Sequence, residues 1–555
     1  MRHLLLRLFI ISHISFGGTM ALAQYRSQVW SPDNGDGTYT NPVINADYSD
    51  LDIVCVGEDY YLTASSFNQM PGLPILHSKD LVNWEIIGHA LQEQNPDSLR
   101  PKHGDGVYAP SIRYHKGMFY IYWGDPDIGC LMIKACDPRG PWSEPILVFK
   151  GKGVIDTCPL WEDDGEDQSS DGHCYLANAW ANSGARFNNL LTIRELSADG
   201  TRAISDPVIV FDGNAHNMVT VEGPKLYKRD GWYWIMCPTG GIGTGPQLAM
   251  RSKSIYGPYE HKEVLKPVKN GIQGPHQGGW VHTAFGEDWF MHFEDRGVYG
   301  RVAHLQPVDW SSGWPIMGKK TVPVTKYRKP KSNSTIVMNP QESDEFNSTY
   351  LGPQWQWETD YQEKFGMATN SGVFRLYSLI LPGQEKETNL WNVPNLLLQK
   401  TPNESFTATA KVKMVSLNEH QRGGIVSFGR NYSALVIERE GDDMFLRQVS
   451  CEHADRPGKK ETVTNLVRLK PDNTQKYSLR YPAKIEQELF LRMMIDNGKG
   501  RFAYSEDGKV FHEVGSEFTL AKVKYIGTKV GLTCTEANEK GRRGWLDIDW
   551  FRISK

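Results

Sequence analysis

Residues 57–65 read GEDYYLTAS, a polar turn followed by aromatic and aliphatic residues, and four similar stretches follow: HKGMFYIYW (115–123), DGHCYLANA (171–179), RDGWYWIMC (229–237) and GEDWFMHFE (286–294). From Tyr61 in the first copy to Phe290 in the fifth, the mean spacing is about 57 residues. A repeat of this length, built on β-type phrases, predicts one small antiparallel sheet per copy and a propeller of five blades. Polar residues at matching positions of several repeats then converge on the central axis.

A second motif follows several of these phrases and completes the blade. It reads HSKDLVNWEII (77–87), KACDPRGPWSEPILV (134–148) and RSKSIYGPYEHKEVL (251–265). Each copy predicts a strand, a turn that carries Pro or Gly in two of the three, and an outer strand. We expect the aromatic residues Trp84, Trp142 and Tyr259 to pack this outer part of each blade.

The chain of 555 residues is too long for one ordinary hydrophobic core and predicts two domains. The polar, basic stretch TKYRKPKSNST (325–335) has no strand pattern. After it, phrases such as FTATAKVKMV (406–415) and LDIDWFRIS (546–554) alternate apolar and polar residues, as antiparallel strands with one solvated face do. We therefore expect an all-β protein with a five-bladed propeller at 24–324, a linker at 325–340 and a jelly-roll or concanavalin-like β-sandwich at 341–555.

The first 23 residues, MRHLLLRLFIISHISFGGTMALA, have the layout of a secretory signal peptide: a basic start, an apolar stretch and small residues at Ala21 and Ala23. The alternative is a short helix of the fold. We expect cleavage after Ala23 and an exported, periplasmic or secreted protein without a membrane span. The net charge of −4, with no basic run interleaved with aromatic residues, argues against nucleic acid as a partner and favours a neutral ligand.

Three carboxylates stand out when residues are counted back from the aromatic phrase of each repeat. Asp50 lies 11 residues before Tyr61, Glu222 lies 11 residues before Tyr233, and Asp156 precedes the third copy. Their neighbours are mostly apolar or small, so inner strands are expected there. Carboxylates gathered at an axis alter one another's pKa values, so that one remains protonated while another remains ionised. Glycoside hydrolysis requires such a pair, whereas strand caps or structural ion pairs are the alternative.

Five motifs in order resemble those of the family 43 glycoside hydrolases. They are NPVINADYSDLDIV (41–54), YAPSIRYHKGMFYIYW (108–123), VIDTCPLWEDDG (154–165), VEGPKLYKRDGWYW (221–234) and GRVAHLQPVDW (300–310). The family contains five-bladed propellers that act as β-xylosidases and α-L-arabinofuranosidases, and the second domain resembles that of its β-xylosidase-like members. The resemblance implies that Asp50 is the general base, Glu222 the general acid, and Asp156 the carboxylate that tunes the pKa of the acid and orients it. It also implies inversion of configuration without a glycosyl-enzyme intermediate.

The region around the base departs from the family pattern. Where the family usually has Pro-Asp-Pro, this chain has Ser49-Asp50-Leu51, with Asp47 and Asp52 close by. Asp52 shares a face with Asp50 unless the strand begins between them, whereas Asp47 falls on the opposite face. We assign Asp50 as the base on its motif position.

Further substrate-binding candidates carry alternative structural interpretations. Arg301 resembles a family arginine that reaches the sugar, but an ion pair with Asp295 or Glu294 is the alternative. Phe67 lies in a stretch punctuated by Gly and Pro, where it either stacks on the sugar or packs in the core. Tyr108 is a weaker candidate for the wall of the pocket.

Two metal sites are also considered. His276 resembles a family histidine at the propeller axis, near water or a calcium ion and close to the substrate, although a structural histidine is the simpler interpretation. Asp344, Glu345, Asp547 and Asp549 either hold a structural calcium or form a solvated acidic cluster. The predicted chemistry itself requires no cofactor.

We therefore predict an inverting, exo-acting hydrolase that removes terminal β-D-xylose or α-L-arabinofuranose from plant cell-wall polysaccharides or oligosaccharides. The alternatives are a non-catalytic carbohydrate-binding propeller and a galactan-active enzyme of the same family. A retaining sialidase-type propeller is a further rival, but the arginine cluster and the S-x-D-x-G-x-T-W turns of that class are not found in the blades.

Overall fold

The computed structural model describes residues 25–94, 100–162, 172–380, 389–475, 483–537 and 541–555. The expected signal peptide at 1–23 lies outside the described residues. Throughout these ranges the secondary structure is almost entirely β. The helical elements there are one short α-helix, α1 (Asn182–Ala185), and 3₁₀ turns at Gly213–His216, Gly297–Tyr299 and Leu390–Asn392. None of the helices in the described ranges has the length and apolar character needed to cross a bilayer.

The first half of the chain forms five antiparallel sheets of four strands each, counted over the described residues. In each sheet the strands follow one another in chain order. One blade after another, they comprise β2–β5, β6–β9, β10–β13, β14–β17 and β18–β21, flanked by β1 and β22. Their bounds are β1 (Thr38–Thr40), β2 (Asp52–Val56), β3 (Asp59–Thr63), β4 (Gly72–Ser78), β5 (Trp84–Leu91), β6 (Tyr108–His115), β7 (Met118–Asp125), β8 (Gly129–Ala135), β9 (Ile146–Lys150), β10 (Val154–Glu162), β11 (His173–Trp180), β12 (Leu190–Leu196), β13 (Val208–Asp212), β14 (Lys225–Arg229), β15 (Trp232–Pro238), β16 (Gln247–Ser252), β17 (Glu260–Leu265), β18 (His276–His282), β19 (Asp288–Asp295), β20 (Arg301–Asp309), β21 (Ile316–Met317) and β22 (Lys326–Arg328).

The predicted propeller of five blades is confirmed. Each aromatic phrase supplies the second strand of its blade, where residues such as Tyr60 and Phe290 are fully buried. The first strands pack side by side around the axis, β2 against β6, β6 against β10, β10 against β14, and β18 against β2. Of the outer aromatic residues, Trp84 and Tyr259 are buried, while Trp142 is half-buried in the turn between β8 and β9.

The ring is closed by strands from its two ends. Strand β1 pairs antiparallel with β22, and Tyr39 lies opposite Tyr327. The Asn41 side chain adds three buried hydrogen bonds: its amide donates to the carbonyls of Leu305 and Val324, and its oxygen accepts from the Leu305 backbone N–H. The linker expected at 325–340 therefore begins as a propeller strand. A basic, polar sequence hides this role because a short strand at the rim needs backbone pairing more than apolar side chains.

The second half forms a β-sandwich, which confirms the predicted concanavalin-like architecture. One sheet has the order β23-β27-β37-β29-β30-β31-β32 with β26 beside β37, and the other has the order β24-β25-β38-β28-β34-β35-β36 with β33 beside β34. The bounds are β23 (Gln356–Trp357), β24 (Gly366–Ala368), β25 (Phe374–Tyr377), β26 (Leu379–Ile380), β27 (Leu397–Lys400), β28 (Ser405–Ser416), β29 (Arg422–Phe428), β30 (Tyr432–Glu440), β31 (Asp443–Cys451), β32 (Thr462–Leu469), β33 (Asn473–Gln475), β34 (Lys484–Asp496), β35 (Lys499–Ser505), β36 (His512–Thr519), β37 (Lys529–Glu536) and β38 (Trp545–Ser554).

The sandwich packs on the loops of the first blade. Met70 and Trp357 exchange backbone hydrogen bonds of 3.1 and 2.6 Å across the junction. The Asn68 amide donates to the backbone carbonyl of Glu358 at 2.8 Å. The Gly527 backbone N–H donates to Asp47 at 2.8 Å, three residues before Asp50. The second domain is thus fixed beside the first of the three carboxylates.

The acidic cluster proposed for calcium is not assembled. Glu345 forms a two-fold pair with the Arg552 guanidinium, Asp547 with that of Arg375, and Asp549 with the Lys411 ammonium. The fourth carboxylate, Asp344, accepts from the Phe346 and Gly352 backbone N–H groups and the Trp355 indole. Within the described ranges, no group of three or more His, Cys, Asp or Glu side chains has the geometry to hold a metal. Each carboxylate is instead satisfied by a donor of the protein.

Candidate active site

Asp50 and Asp156 occupy the same position of two blades. Asp50 lies two residues before β2, and its φ is 52°. Asp156 lies at a bulge in β10, two residues before the ladder resumes at Cys158, and its φ is 57°. A positive φ is uncommon for a residue with a side chain and is concentrated at functional sites. The strained backbone therefore presents both carboxylates from equivalent points around the axis.

Glu222 stands one residue earlier than this position. In the fourth blade the ladder begins at Lys225, and the residue two places before it is Gly223, with φ 63°. The count of 11 residues back from Tyr61 and Tyr233 did not reveal this shift. The turn between β14 and β15 lies at a different distance from Tyr233 than the turn between β2 and β3 does from Tyr61. A Gly directly after the acid was the available sequence signal, since Gly favours the left-handed conformation.

Asp50 is held by two polar side chains. The Arg301 Nη1 donates to both oxygens of Asp50 at 3.0 Å, and the Ser65 hydroxyl donates to Oδ2 at 2.9 Å. These contacts fix the orientation of the carboxylate. Arg301 therefore pairs with Asp50, whereas its two alternative partners pair elsewhere: Glu294 with Arg296 and His304, and Asp295 with Lys522.

The two rival base candidates are engaged in the scaffold. Asp52 begins β2, is fully buried and accepts from the Arg113 guanidinium at 2.6 Å and the Ile112 backbone N–H at 3.1 Å. Lys225 Nζ lies 3.6 Å from the same carboxylate. Asp47 accepts from the backbone N–H groups of Arg301 and Gly527. Asp52 thus belongs to a buried ion cluster between blades. Strand β2 begins at Asp52, after Asp50, so Asp50 lies outside the strand.

Asp156 and Glu222 are linked through the peptide that follows the acid. The Gly223 backbone N–H donates to Asp156 Oδ2 at 2.8 Å. Burial, then the charge of Glu222 and then that of Asp50 raise the pKa of Asp156 from its ordinary 3.8 to about 8. The electrostatic influence of both other carboxylates on Asp156 shows that the structure brings the three together. At neutral pH this cluster retains a proton that an isolated carboxylate would lose.

Glu222 is the most accessible of the three carboxylates. Its side chain is 32% exposed, against 10% for Asp50. The buried His276 places Nε2 3.4 Å from Glu222 Oε1. His276 Nδ1 is buried and makes no hydrogen bond to any residue that the structure describes. His276 thus lies against the acid candidate, while a metal or water bound to it stays a prediction.

Aromatic residues from both domains meet beside Asp50. The Phe67 ring contacts Tyr108 edge-on, with centroids 5.4 Å apart, and stacks against Tyr525 of the sandwich at 5.9 Å. Phe67 is buried in the apolar core between the domains, so the core interpretation holds for most of its surface. Tyr525 is 47% exposed and was missed by sequence reasoning. Its position after β36, 475 residues from Asp50, carries no repeat signal.

These aromatic residues are connected to the base by hydrogen bonds. The residue after Tyr108 is Ala109, whose backbone N–H donates to the Ser65 hydroxyl, and that hydroxyl donates to Asp50. A strained, proton-retaining carboxylate cluster at the axis, walled on one side by aromatic rings, has the elements that glycoside hydrolysis requires.

Comparison with known proteins agrees with this geometry. The model of the glycosyl hydrolases family 43 matches residues 39–315, and that of the beta xylosidase C-terminal concanavalin A-like domain matches residues 343–554. A putative beta-xylosidase of Xylanibacter ruminicola is 32% identical over 91% of this chain and 87% of its own length. The chain belongs to glycosyl hydrolase family 43. It is therefore a glycoside hydrolase.

Other members of family 43 extend the likeness. The non-reducing end alpha-L-arabinofuranosidase BoGH43B of Bacteroides ovatus is 31% identical over 73% of this chain and 77% of its own length. The crystal structure of the BlXynB protein of Bacillus licheniformis superposes with a TM-score of 0.75 at 26% identity and covers 93% of this chain and 99% of the other. The family 43 propeller and its sandwich are thus shared over nearly the whole length.

Proposed function

We propose that this protein is an inverting, exo-acting glycosidase that releases terminal β-D-xylose or α-L-arabinofuranose from plant cell-wall oligosaccharides and polysaccharides. The observation that carries the proposal is the cluster of Asp50, Asp156 and Glu222, in which Arg301 and Ser65 donate to Asp50 while burial and the other two carboxylates raise the pKa of Asp156 to about 8. The relatives named beta-xylosidase and alpha-L-arabinofuranosidase support a pentose as the sugar.

Asp50 is the proposed general base. It draws a proton from a water molecule, which attacks the anomeric carbon on the face opposite the leaving group. The Arg301 and Ser65 donors fix both oxygens of the carboxylate and so select its orientation toward that water. Direct attack by water inverts the configuration of the sugar.

Glu222 is the proposed general acid. Its carboxyl group is accessible, and it gives a proton to the glycosidic oxygen as the bond breaks. Asp156 fixes the peptide that follows Glu222 through the Gly223 N–H. The carboxylate cluster retains a proton at neutral pH, and Glu222 is its accessible member through which a proton reaches the leaving oxygen.

Exo action is supported by the second domain. Tyr525 of the sandwich contacts Phe67 and Tyr108 beside the base, so the side of the site that faces the sandwich is walled. A pocket closed on one side accommodates a chain end more readily than the middle of a polymer. The printed name of the Bacteroides ovatus relative, a non-reducing end enzyme, points the same way.

The test is hydrolysis of aryl β-D-xyloside, α-L-arabinofuranoside and β-galactoside by the full chain. We expect turnover of a pentoside, a loss of kcat of about 10²-fold or more in Glu222→Gln, and the inverted anomer as the first product seen by NMR. The Gln side chain preserves the size of Glu222 but has no acidic proton. Full activity of Glu222→Gln would remove the acid assignment, and a retained anomer would remove the mechanism.

We also propose that residues 1–23 direct export, on the strength of their signal-peptide layout. A polymeric substrate outside the cell agrees with this route. Mass spectrometry of the mature protein from the native host tests it, with Gln24 expected as the first residue. An intact Met1 in the purified protein would contradict export by cleavage.

A further inference from the structure

A cavity of about 330 Å³ lies at the junction of propeller and sandwich. Four cationic side chains line it, against one carboxylate: Arg100, Arg430, Arg456 and Lys524, with Asp455. Asp455 is paired with Arg430, since its Oδ2 lies 3.5 Å from Arg430 Nε. The cavity therefore has an excess of positive charge in a protein whose net charge is −4.

Among the described residues two of these cations have no carboxylate partner, and the Lys524 ammonium lies 5.3 Å from the centroid of the Tyr525 ring. Arg456 and Lys524 are exposed, and neither forms an ion pair with any residue in the described ranges. A cation without a carboxylate partner beside a concave surface attracts an anion and strengthens a hydrogen bond to it.

An aromatic ring lies within the same cavity. The half-buried Trp391 stacks on His103, with centroids 3.9 Å apart, and contacts Phe428 behind it. The His103 Nε2 lies 2.7 Å from the Trp391 backbone carbonyl and fixes the segment that carries the ring. These contacts hold the Trp391 ring in place. Its exposed part offers an apolar surface against which the face of a sugar can pack.

The cavity adjoins the proposed catalytic pocket. Lys524 precedes Tyr525, the sandwich residue that stacks on Phe67. The methylene groups of Lys524 lie against Gly104, whose carbonyl accepts the hydrogen bond of the Tyr108 hydroxyl. Lys524, which lines the cationic cavity, is thus adjacent to the wall of aromatic residues beside Asp50.

We propose that this cavity binds a uronic acid substituent of the substrate while a terminal pentose occupies the catalytic pocket. Arg456 and Lys524 receive the carboxylate, and Trp391 packs against the ring. The inference rests on the proposed function, because it names a decoration of the same substrate. Such a binding site makes the enzyme selective for acidic, glucuronosyl-bearing oligosaccharides over unsubstituted ones.

The test compares two oligosaccharides that differ by one acidic substituent. They are a xylo-oligosaccharide with a glucuronosyl group on an internal xylose and the same compound without it. In the double variant Arg456→Gln, Lys524→Gln we expect kcat/KM for the acidic compound to fall about ten-fold. The value for the neutral compound should stay within about two-fold of wild type. The matched control is Lys509→Gln, an exposed lysine elsewhere on the sandwich, which should change neither value.

Direct binding separates this inference from the proposed function. Calorimetry on Glu222→Gln should show that the acidic oligosaccharide binds more tightly than the neutral one and weakens with added salt, while free glucuronate binds weakly. Equal affinity for both oligosaccharides, or an equal loss for both in the double variant, overturns the cavity assignment even if pentosides are hydrolysed. Selective acidic binding without any pentoside hydrolysis would overturn the proposed function and leave the cavity assignment standing.

Discussion

The protonation of Asp156 is the residue-scale property that the fold controls most strongly. Burial and the charges of Glu222 and Asp50 raise its pKa to about 8. Between the ordinary pKa of 3.8 and about 8, the folded protein binds a proton at Asp156 that the unfolded chain releases. The contribution of Asp156 to the free energy of unfolding is therefore present at low pH. It is lost as the pH rises from 3.8 to about 8.

Asp156→Asn should remove this pH dependence. The amide is uncharged and its oxygen still accepts from the Gly223 N–H, so the variant should gain thermal stability over wild type as the pH rises from about 5 to about 9. Its kcat should fall by at least about 10²-fold, because an amide cannot gain or release a proton and so cannot take part in the proton-retaining cluster. Melting temperatures across that pH range and kcat for the pentoside measure both effects. Asp230→Asn, in an exposed turn, is the control, and a difference in melting temperature that is constant with pH would contradict the linkage.

The sequence selected Asp50, Glu222 and Asp156 because the propeller repeats in sequence as it does in space. It matched Asp50 with Glu222 at 11 residues before the aromatic residue, whereas the structure places Glu222 one residue earlier than Asp50 and Asp156, since a count from aromatic residues does not show where each hairpin turn lies. Tyr525 was missed because no periodicity relates the sandwich to the blades. The ion pairs of the acidic residues considered for calcium were missed for a similar reason: the arginine and lysine partners of Glu345 and Asp549 lie on strands that the sequence does not place beside them.

At the scale of the element, the turn before β14 is the most constrained part of the site. Gly223 has φ 63°, and a Cβ added there would lie 2.6 Å from the side chain of Gln277. Its N–H also holds Asp156. Backbone conformation, packing and the proton-retaining cluster thus depend on one residue without a side chain.

Gly223→Ala should lose about 2–4 kcal/mol of unfolding free energy and most of its activity, because strain and steric overlap add. The matched control is Gly57→Ala: Gly57 has nearly the same φ of 64°, but no atom outside its immediate chain neighbours lies within 4 Å of the added Cβ. The control should lose only about 1 kcal/mol, the cost of the left-handed conformation. Urea denaturation and kcat measure the difference, and equal losses in the two variants would refute the role of crowding at Gly223.

The strand pair that closes the propeller is the second element with a measurable role. Asn41→Ala removes three buried hydrogen bonds, including the side-chain partners of the Leu305 N–H and the Val324 carbonyl, so we expect a loss of about 2–4 kcal/mol. Thermal unfolding measures it. Asn333→Ala, which removes only exposed contacts to Glu58, should be neutral. A neutral Asn41→Ala would show that the side chain does not secure the closure.

At the scale of the whole molecule, the sandwich contributes to the catalytic pocket. Tyr525→Ala should weaken binding of small aryl pentosides and raise KM about five-fold, because a stacked aromatic contact is lost, while kcat stays nearly constant. Steady-state kinetics and a melting curve test it. Tyr350→Ala, on the same domain and 82% exposed, is the control. A fall in kcat with unchanged KM would instead assign Tyr525 to the chemistry.

The pairing of β1 with β22 has a kinetic consequence. It joins residues 38–40 to residues 326–328, and contacts so distant in sequence form late and slowly, since a long loop of chain must be ordered first. All five blades precede β22 in the chain and can assemble before the last backbone hydrogen bonds join β1 to β22. For a chain that we propose is exported, a ring that stays open until residue 328 has emerged would delay tight folding during transport.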